Sequence, residues 1–207
     1  MKSVVFDFGA VLFQWKPLEL LQAVVPELAP DDAAARALAA QIFESFTPHS
    51  DWALFDLGQV DEPRLAERIA KRLGITEAQV RRVIDAIPPH LEAQAPTVAL
   101  FHRLRSAGHR MFYLSNMPAP YADSLERNNP FIAQFDDGIF SGRVGLMKPH
   151  AEIFQLAQTR FGLVLEQPVF IDDHAGNVSA ARALQWQAVH FTGAAGAEQE
   201  LAGMGWL

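Results

Sequence analysis

Asp7 ends the short apolar run Val4-Val5-Phe6, and a second acidic group, Asp172-Asp173, ends the run Val169-Phe170-Ile171. Carboxylates at the ends of buried strands are costly in desolvation and mutual repulsion unless a cation stands beside them. Hard oxygen donors with few histidines nearby suit magnesium better than zinc, and magnesium takes one or two carboxylates together with phosphate and water. The local alternative is that Asp7 closes a turn and one of the pair caps a helix near Asn177. Ser115-Asn116 offers a hydroxyl, an amide and backbone donors, which make either a phosphate cradle or a plain turn. Lys148, just before Pro149 on a loop leading into a helix, could neutralise the acids and hold an anion as a point charge.

These side chains act together only if the chain gathers them. Residues 4–6, 111–114, 139–140, 169–171 and 188–191 read as short buried strands, and 97–107, 119–127, 149–161 and 177–184 as helices between them. Such alternation is the pattern of a parallel sheet with crossover helices. In open parallel sheets ligands occupy the crevice beyond the carboxyl ends of the strands, so Asp7, Ser115 and Asp172-Asp173 converge there if their strands are neighbours. Residues 15–88 carry only helix signals: 17–25, 31–46, 61–73, and a fourth that opens with the Thr76/Gln79 capping box and stops at Pro88-Pro89. The expectation is an α/β fold, with a Rossmann-like doubly wound parallel core of residues 1–14 and 89–207 and an inserted four-helix cap of residues 15–88.

Composition limits the chemistry. With 207 residues, 50% of them hydrophobic, and 17 basic against 24 acidic residues, the net charge is −7. No basic stripe favours nucleic acid. The absence of cysteine removes thiolate nucleophiles, disulfides and cysteine-ligated zinc. The apolar stretch before Asp7 is too short for a signal peptide or a membrane span, which predicts a cytoplasmic protein with no membrane partner. No phosphate-loop or dinucleotide glycine pattern, G-x-S-x-G elbow or H-E-x-x-H motif occurs. Of the seven histidines only His150 and His174 lie near the site loops, and they read as ordinary surface or supporting residues.

Taken in order, VVFDFGAVLF, YLSN, GLMKPHAEIF and FIDDHAGNVSAA resemble the four motifs of the haloacid dehalogenase-like hydrolase superfamily, and the helical insert resembles the cap of its first subfamily. The D-x-G-x-V first motif and the paired aspartates are similar to the α-D-glucose-1-phosphate phosphatase group. The resemblance implies that Asp7 attacks phosphorus to give an aspartyl-phosphate, that Ser115 and the Asn116 backbone hold phosphoryl oxygens, and that Lys148 steadies the charge. It also implies magnesium on Asp7, the Gly9 carbonyl and Asp173, with Asp172 and Asn177 behind them, the reverse assignment of Asp172 and Asp173 remaining open. Most phosphatases of the family carry an acid where this chain has Gly9, and general acid help is worth roughly 10²–10⁴ in rate. A good leaving group needs that help least, which points to an anomeric or acyl phosphate.

The implied function is a magnesium-dependent phosphohydrolase acting on a small phosphorylated metabolite, a sugar 1-phosphate foremost, as a monomer or homodimer. The cap would read the leaving group, with Phe13, Gln14, Trp15, His49, Asp51 and Trp52 as its candidate readers. Two alternatives share the scaffold: a metal-independent 2-haloacid dehalogenase, and a catalytically weak phosphate-binding or regulatory protein.

Overall fold

The computed structural model describes residues 2–44, 47, 49–163 and 165–207. Five strands, β1 (Ser3–Phe6), β2 (Arg110–Ser115), β3 (Asp137–Phe140), β4 (Val169–Asp172) and β5 (Gln187–His190), form one sheet in the order β3-β2-β1-β4-β5. Every pairing is parallel. The chain moves outward from β1 to β3 and then crosses back to β4, so β1 has β2 on one side and β4 on the other. A crevice opens where the order reverses, beyond the carboxyl ends of these three strands.

Side chains of a strand alternate between faces, and both faces here are covered. Val5, Phe112, Leu114 and Phe170 pack in one apolar layer, while Val4, Phe6, Met111, Tyr113 and Ile171 pack in the other. Before β2 the chain forms α1 (Pro17–Val24), α2 (Asp32–Phe43), α3 (Asp51–Asp56), α4 (Glu62–Leu73), α5 (Glu77–His90) and α6 (Ala95–Ser106). After β2 come α7 (Ala119–Asn128), a 3-10 turn at Pro130–Gln134, α8 (Ser141–Val144), α9 (Ala151–Arg160), α10 (Ala175–Ala183) and α11 (Ala194–Gly203). Side-chain oxygens of Asp31, Ser50, Asp61 and Thr76 accept backbone N–H groups at the starts of α2 to α5, each cap contributing about 1 kcal/mol.

The helical segment departs from expectation in three places. Among the described residues it holds five helices rather than four, because six-residue α3 is too short to show a helical period. α2 ends at Phe43, where Glu44 turns left-handed at φ 46°; residue 46, the expected end, lies outside the described residues. α5 continues through Pro88-Pro89 to His90. Pro88 has no N–H for the Ile84 carbonyl, which would ordinarily stop the helix, but the Tyr121 hydroxyl donates to that carbonyl at 3.0 Å and takes the missing place.

Two further starts shift. Pro149 and His150 precede α9, with the Lys148–Pro149 bond cis. α10 begins at Ala175, so Asn177 lies inside the helix instead of capping it; Asp172 accepts the His174 N–H at that end.

Leu20, Leu38, Leu65 and Val80 of the helical segment belong to the same buried cluster as Phe6 and Tyr113 of the sheet. The two chain segments joining helices to sheet are tied together. Gln14 N–H donates to Glu92 O and Gln94 N–H to Leu12 O, both at 2.8 Å. Gln94 Nε2 also donates to the Ala10 and Val11 carbonyls at 3.0 Å, pinning a turn in which Ala10 has φ 57°.

Candidate active site

β1, β2 and β4 are neighbours, and their carboxyl ends bring Asp7, Ser115 and Asp172-Asp173 to one crevice. Asp7 is anchored by its own N–H, which donates to Ile171 O at 2.9 Å. Its Oδ1 accepts the Phe8 N–H at 2.7 Å and faces Lys148 Nζ at 2.9 Å. Oδ2 of Asp7 has no hydrogen-bond partner among the described residues.

Lys148, which a loop position would ordinarily leave solvated, is 1% exposed. Its Nζ donates to Asp172 Oδ2 at 2.6 Å. Burial works against its charge, but Asp172 and Asp7 outweigh this and hold its pKa above the ordinary value. Asn116 positions this lysine: its Nδ2 donates to Lys148 O at 2.9 Å while its Oδ1 accepts the Lys148 N–H at 2.8 Å. The Asn116 side-chain amide is thus occupied with the lysine backbone, so it is the backbone of Asn116 that the expected phosphate contact concerns, whereas Ser115 lines the crevice with its hydroxyl free among the described residues.

The acidic pair divides. Asp172 is fully buried and accepts from Lys148 Nζ, from the His174 N–H at 2.7 Å, and from Asn177 Nδ2 at 3.1 and 3.0 Å. Asp173 instead lines the cavity, where desolvation and then the Asp172 charge raise its pKa. Carboxylate oxygens of Asp7, Asp172 and Asp173 lie within 4.8 Å of one another. Desolvation, opposed by Lys148 and reinforced by Asp172 and Asp173, pushes Asp7 up to about 7. With all three carboxylates ionised the one ammonium leaves a local charge of −2, which one divalent cation neutralises. An all-oxygen donor set of this kind fits magnesium.

Asp7, Ser115, Lys148 and Asp173 form the floor of a cavity of about 170 Å³, together with Gly9 and Asn177, and Asp172 lies buried behind it. Its walls come from the helical segment and the turn after β2, with Trp15, Phe43, Trp52, Ile87, Leu91 and Tyr121 among them. An edge-to-face series runs from Trp15 through Phe43, Trp52 and Phe55 to Tyr121, with centroids 4.7 to 5.7 Å apart.

Of the expected readers, Trp15 and Trp52 line the cavity and four do not. Phe13 is buried against Phe8 and Phe131. Gln14 donates to His90 O, and His49 is exposed away from the cavity. Asp51 is held by Arg68 at 2.6 Å and Arg72 at 2.9 Å, tying α3 to α4. Sequence reasoning missed Phe43, Tyr121 and above all Asp56, an acid following buried Phe55 at the end of α3. His174, weighed only as a supporting residue, also lines the cavity.

Residues 1–185 match the family model of the haloacid dehalogenase-like hydrolases. The chain is 24% identical to a sesquiterpene phosphatase of Aspergillus oryzae over 192 residues, covering 92% of this chain and 90% of that protein. It is 28% identical to an (S)-2-haloacid dehalogenase of Pseudomonas putida over 109 residues, 53% of this chain and 48% of that one. A haloacid dehalogenase-type enzyme of Bacteroides thetaiotaomicron, solved with magnesium and inorganic phosphate, superposes with a TM-score of 0.66 at 19% identity, covering 91% of this chain and 93% of that one. With four motif residues converging at the strand ends and nearly the whole chain inside one family model, the protein is a member of the haloacid dehalogenase-like hydrolases.

Proposed function

We propose that the protein is a magnesium-dependent phosphomonoesterase that works through an aspartyl-phosphate on Asp7. The observation that carries this is the site's charge: three clustered carboxylates and one buried lysine, in excess by −2, beside a free serine hydroxyl. Such a site repels the carboxylate of a haloacid but, once loaded with a divalent cation, attracts a phosphate. The Bacteroides enzyme with magnesium and phosphate and the Aspergillus phosphatase support the same reading.

Magnesium, held by Asp7, Asp173 and the Gly9 carbonyl, would supply charge neutralisation and Lewis acidity at the phosphoryl oxygens. Asp7 attacks through Oδ2, since Phe8 N–H and Lys148 hold Oδ1. Lys148 and the Ser115 hydroxyl steady the phosphoryl charge, and Asp172 with Asn177 keeps the ammonium in place. Water then releases phosphate from Asp7. Residues 1–14 and 89–207 act as the catalytic core, and residues 15–88 as the cap that screens the site from bulk water.

For the leaving group, the walls favour an apolar alcohol. The Ser50 hydroxyl is engaged with the Ala53 N–H and Tyr121 with the Ile84 carbonyl, which leaves few partners for sugar hydroxyls against the aromatic series. The sesquiterpene phosphatase supports this assignment. A sugar 1-phosphate, favoured by the D-x-G-x-V pattern, is the second reading. Phosphate release from a prenyl monophosphate, α-glucose 1-phosphate, glucose 6-phosphate, an acyl phosphate and p-nitrophenyl phosphate, with magnesium or EDTA, tests both. Magnesium-dependent turnover that vanishes in Asp7→Asn, with the prenyl ester fastest, is expected. Halide release from 2-chloropropionate without any phosphatase activity would overturn the reaction class, and a glucose 1-phosphate preference would overturn the apolar leaving group.

A further inference from the structure

The crevice holds one acid that the steps above do not use. Asp56 lines the same cavity as Asp7, Lys148 and Asp173, and its carboxylate has no hydrogen bond or ion pair among the described residues. Asp51, on the same helix, is by contrast satisfied by two arginines. The clustered carboxylates of Asp7, Asp172 and Asp173 do not include it, so it stands apart from the metal-binding set.

Asp56 is also held in place from the sheet side. Ser141 Oγ donates to the Asp56 carbonyl at 2.6 Å and accepts the Met117 N–H at 2.8 Å. Two residues on, Gly58 at φ 70° lies so close to α8 that an added Cβ would stand 2.6 Å from the Gly142 carbonyl oxygen. The end of α3 is therefore bolted to α8 and, through the Ser141 hydroxyl, to the loop that follows the Ser115 strand.

We propose that Asp56 is a catalytic residue, the acid that protonates the departing oxygen and the base that then activates water. The inference rests on the phosphomonoesterase reading. Asp7 Oδ2 bonds to phosphorus as the bond from phosphorus to the ester oxygen breaks, its electron pair staying on that oxygen. The Asp56 proton goes to the same oxygen, and the alcohol leaves. Ionised Asp56 next takes a proton from the water that attacks the aspartyl-phosphate, which frees inorganic phosphate and restores both aspartates. The sum is ester plus water giving alcohol plus phosphate.

Burial, with the charge of Asp7 added, pushes the Asp56 carboxyl up to about 8, so the proton is in place at neutral pH. Asp7, Tyr121, Lys148, Asp173 and His174 are the titratable groups facing it across the cavity. At Gly9, where an added Cβ meets nothing within 4 Å, there is room for a substitute acid.

The test compares hexyl phosphate, whose alkoxide leaves poorly, with p-nitrophenyl phosphate, whose phenolate leaves unaided. Asp56→Asn is expected to lose about 10²–10⁴ in kcat/KM on hexyl phosphate; on p-nitrophenyl phosphate it should still release a first burst of p-nitrophenol, one per folded site, followed by a slower steady state, because transfer to Asp7 does without the acid while the aspartyl-phosphate lacks its base. The double variant Asp56→Asn/Gly9→Asp should recover hexyl phosphate turnover, which a merely structural role for Asp56 would not predict. Equal losses in kcat/KM on both esters, no loss on either, or a wild type active on p-nitrophenyl phosphate alone would overturn the assignment while leaving the phosphatase standing. A wild type inactive on both esters would overturn the two together.

Discussion

The floor and the walls of the cavity are built on opposite principles. On the floor every polar atom but a few is spoken for: Asp172 accepts four hydrogen bonds, Lys148 is clamped by its side chain and by its backbone, and Asp7 is fixed through Oδ1. On the walls aromatic rings pack edge to face, and among them stands the Asp56 carboxylate, with no hydrogen bond or ion pair among the described residues. A rigid polar floor suits a group common to all substrates. An apolar wall, which can be altered without disturbing a hydrogen-bond network, suits the part that varies.

If the floor is one network, removing its cation should be felt throughout. Lys148→Met leaves Asp7 and Asp172 facing each other, and is expected to abolish phosphate release and to cost about 3–5 kcal/mol in urea unfolding without magnesium. Unchanged stability would mean that the floor is not electrostatically coupled. Magnesium at a hundred times its dissociation constant should stabilise the wild type by about 2.7 kcal/mol. The same addition should do little for Asp173→Asn, and an equal gain there would place the cation elsewhere.

The walls should respond more gently. Tyr121→Phe removes the hydroxyl that donates to the Ile84 carbonyl in place of the N–H that Pro88 lacks, and is expected to cost about 1–3 kcal/mol. A neutral result would mean that water replaces the hydroxyl. Asp56 adds a pH dependence of definite sign: its carboxyl titrates at about 8 in the fold against an ordinary value of 3.8. Between these values the folded chain holds the extra proton, so stability falls as pH rises across that window. Asp56→Asn should flatten the fall in urea midpoints between pH 5 and 9, and an unchanged slope would show that the carboxyl is solvated.

The same contrast explains what could be read from residues alone. The strands announce themselves as apolar runs closed by Asp7, Ser115 or Asp172, and the parallel order follows from alternation with helices. The walls do not, because their chemistry is set by contacts between distant segments. Asp51 looked like a reader of substrate until Arg68 and Arg72, 17 and 21 residues on, claimed it. Asp56 was passed over for the opposite reason: nothing local marks an acid as lacking a partner. Pro88 removes a helix donor by covalent structure, and only the fold supplies Tyr121, 37 residues beyond Ile84, to replace it.

That replacement bears on the order of assembly. A peptide of residues 76–90 alone lacks the Tyr121 hydroxyl for the Ile84 carbonyl, so its helix should fray ahead of the prolines even where the capping box at Thr76 is intact. In the whole chain the last turn of α5 can close only after α7 has docked, which makes it a late event in folding and among the first to open in native-state hydrogen exchange.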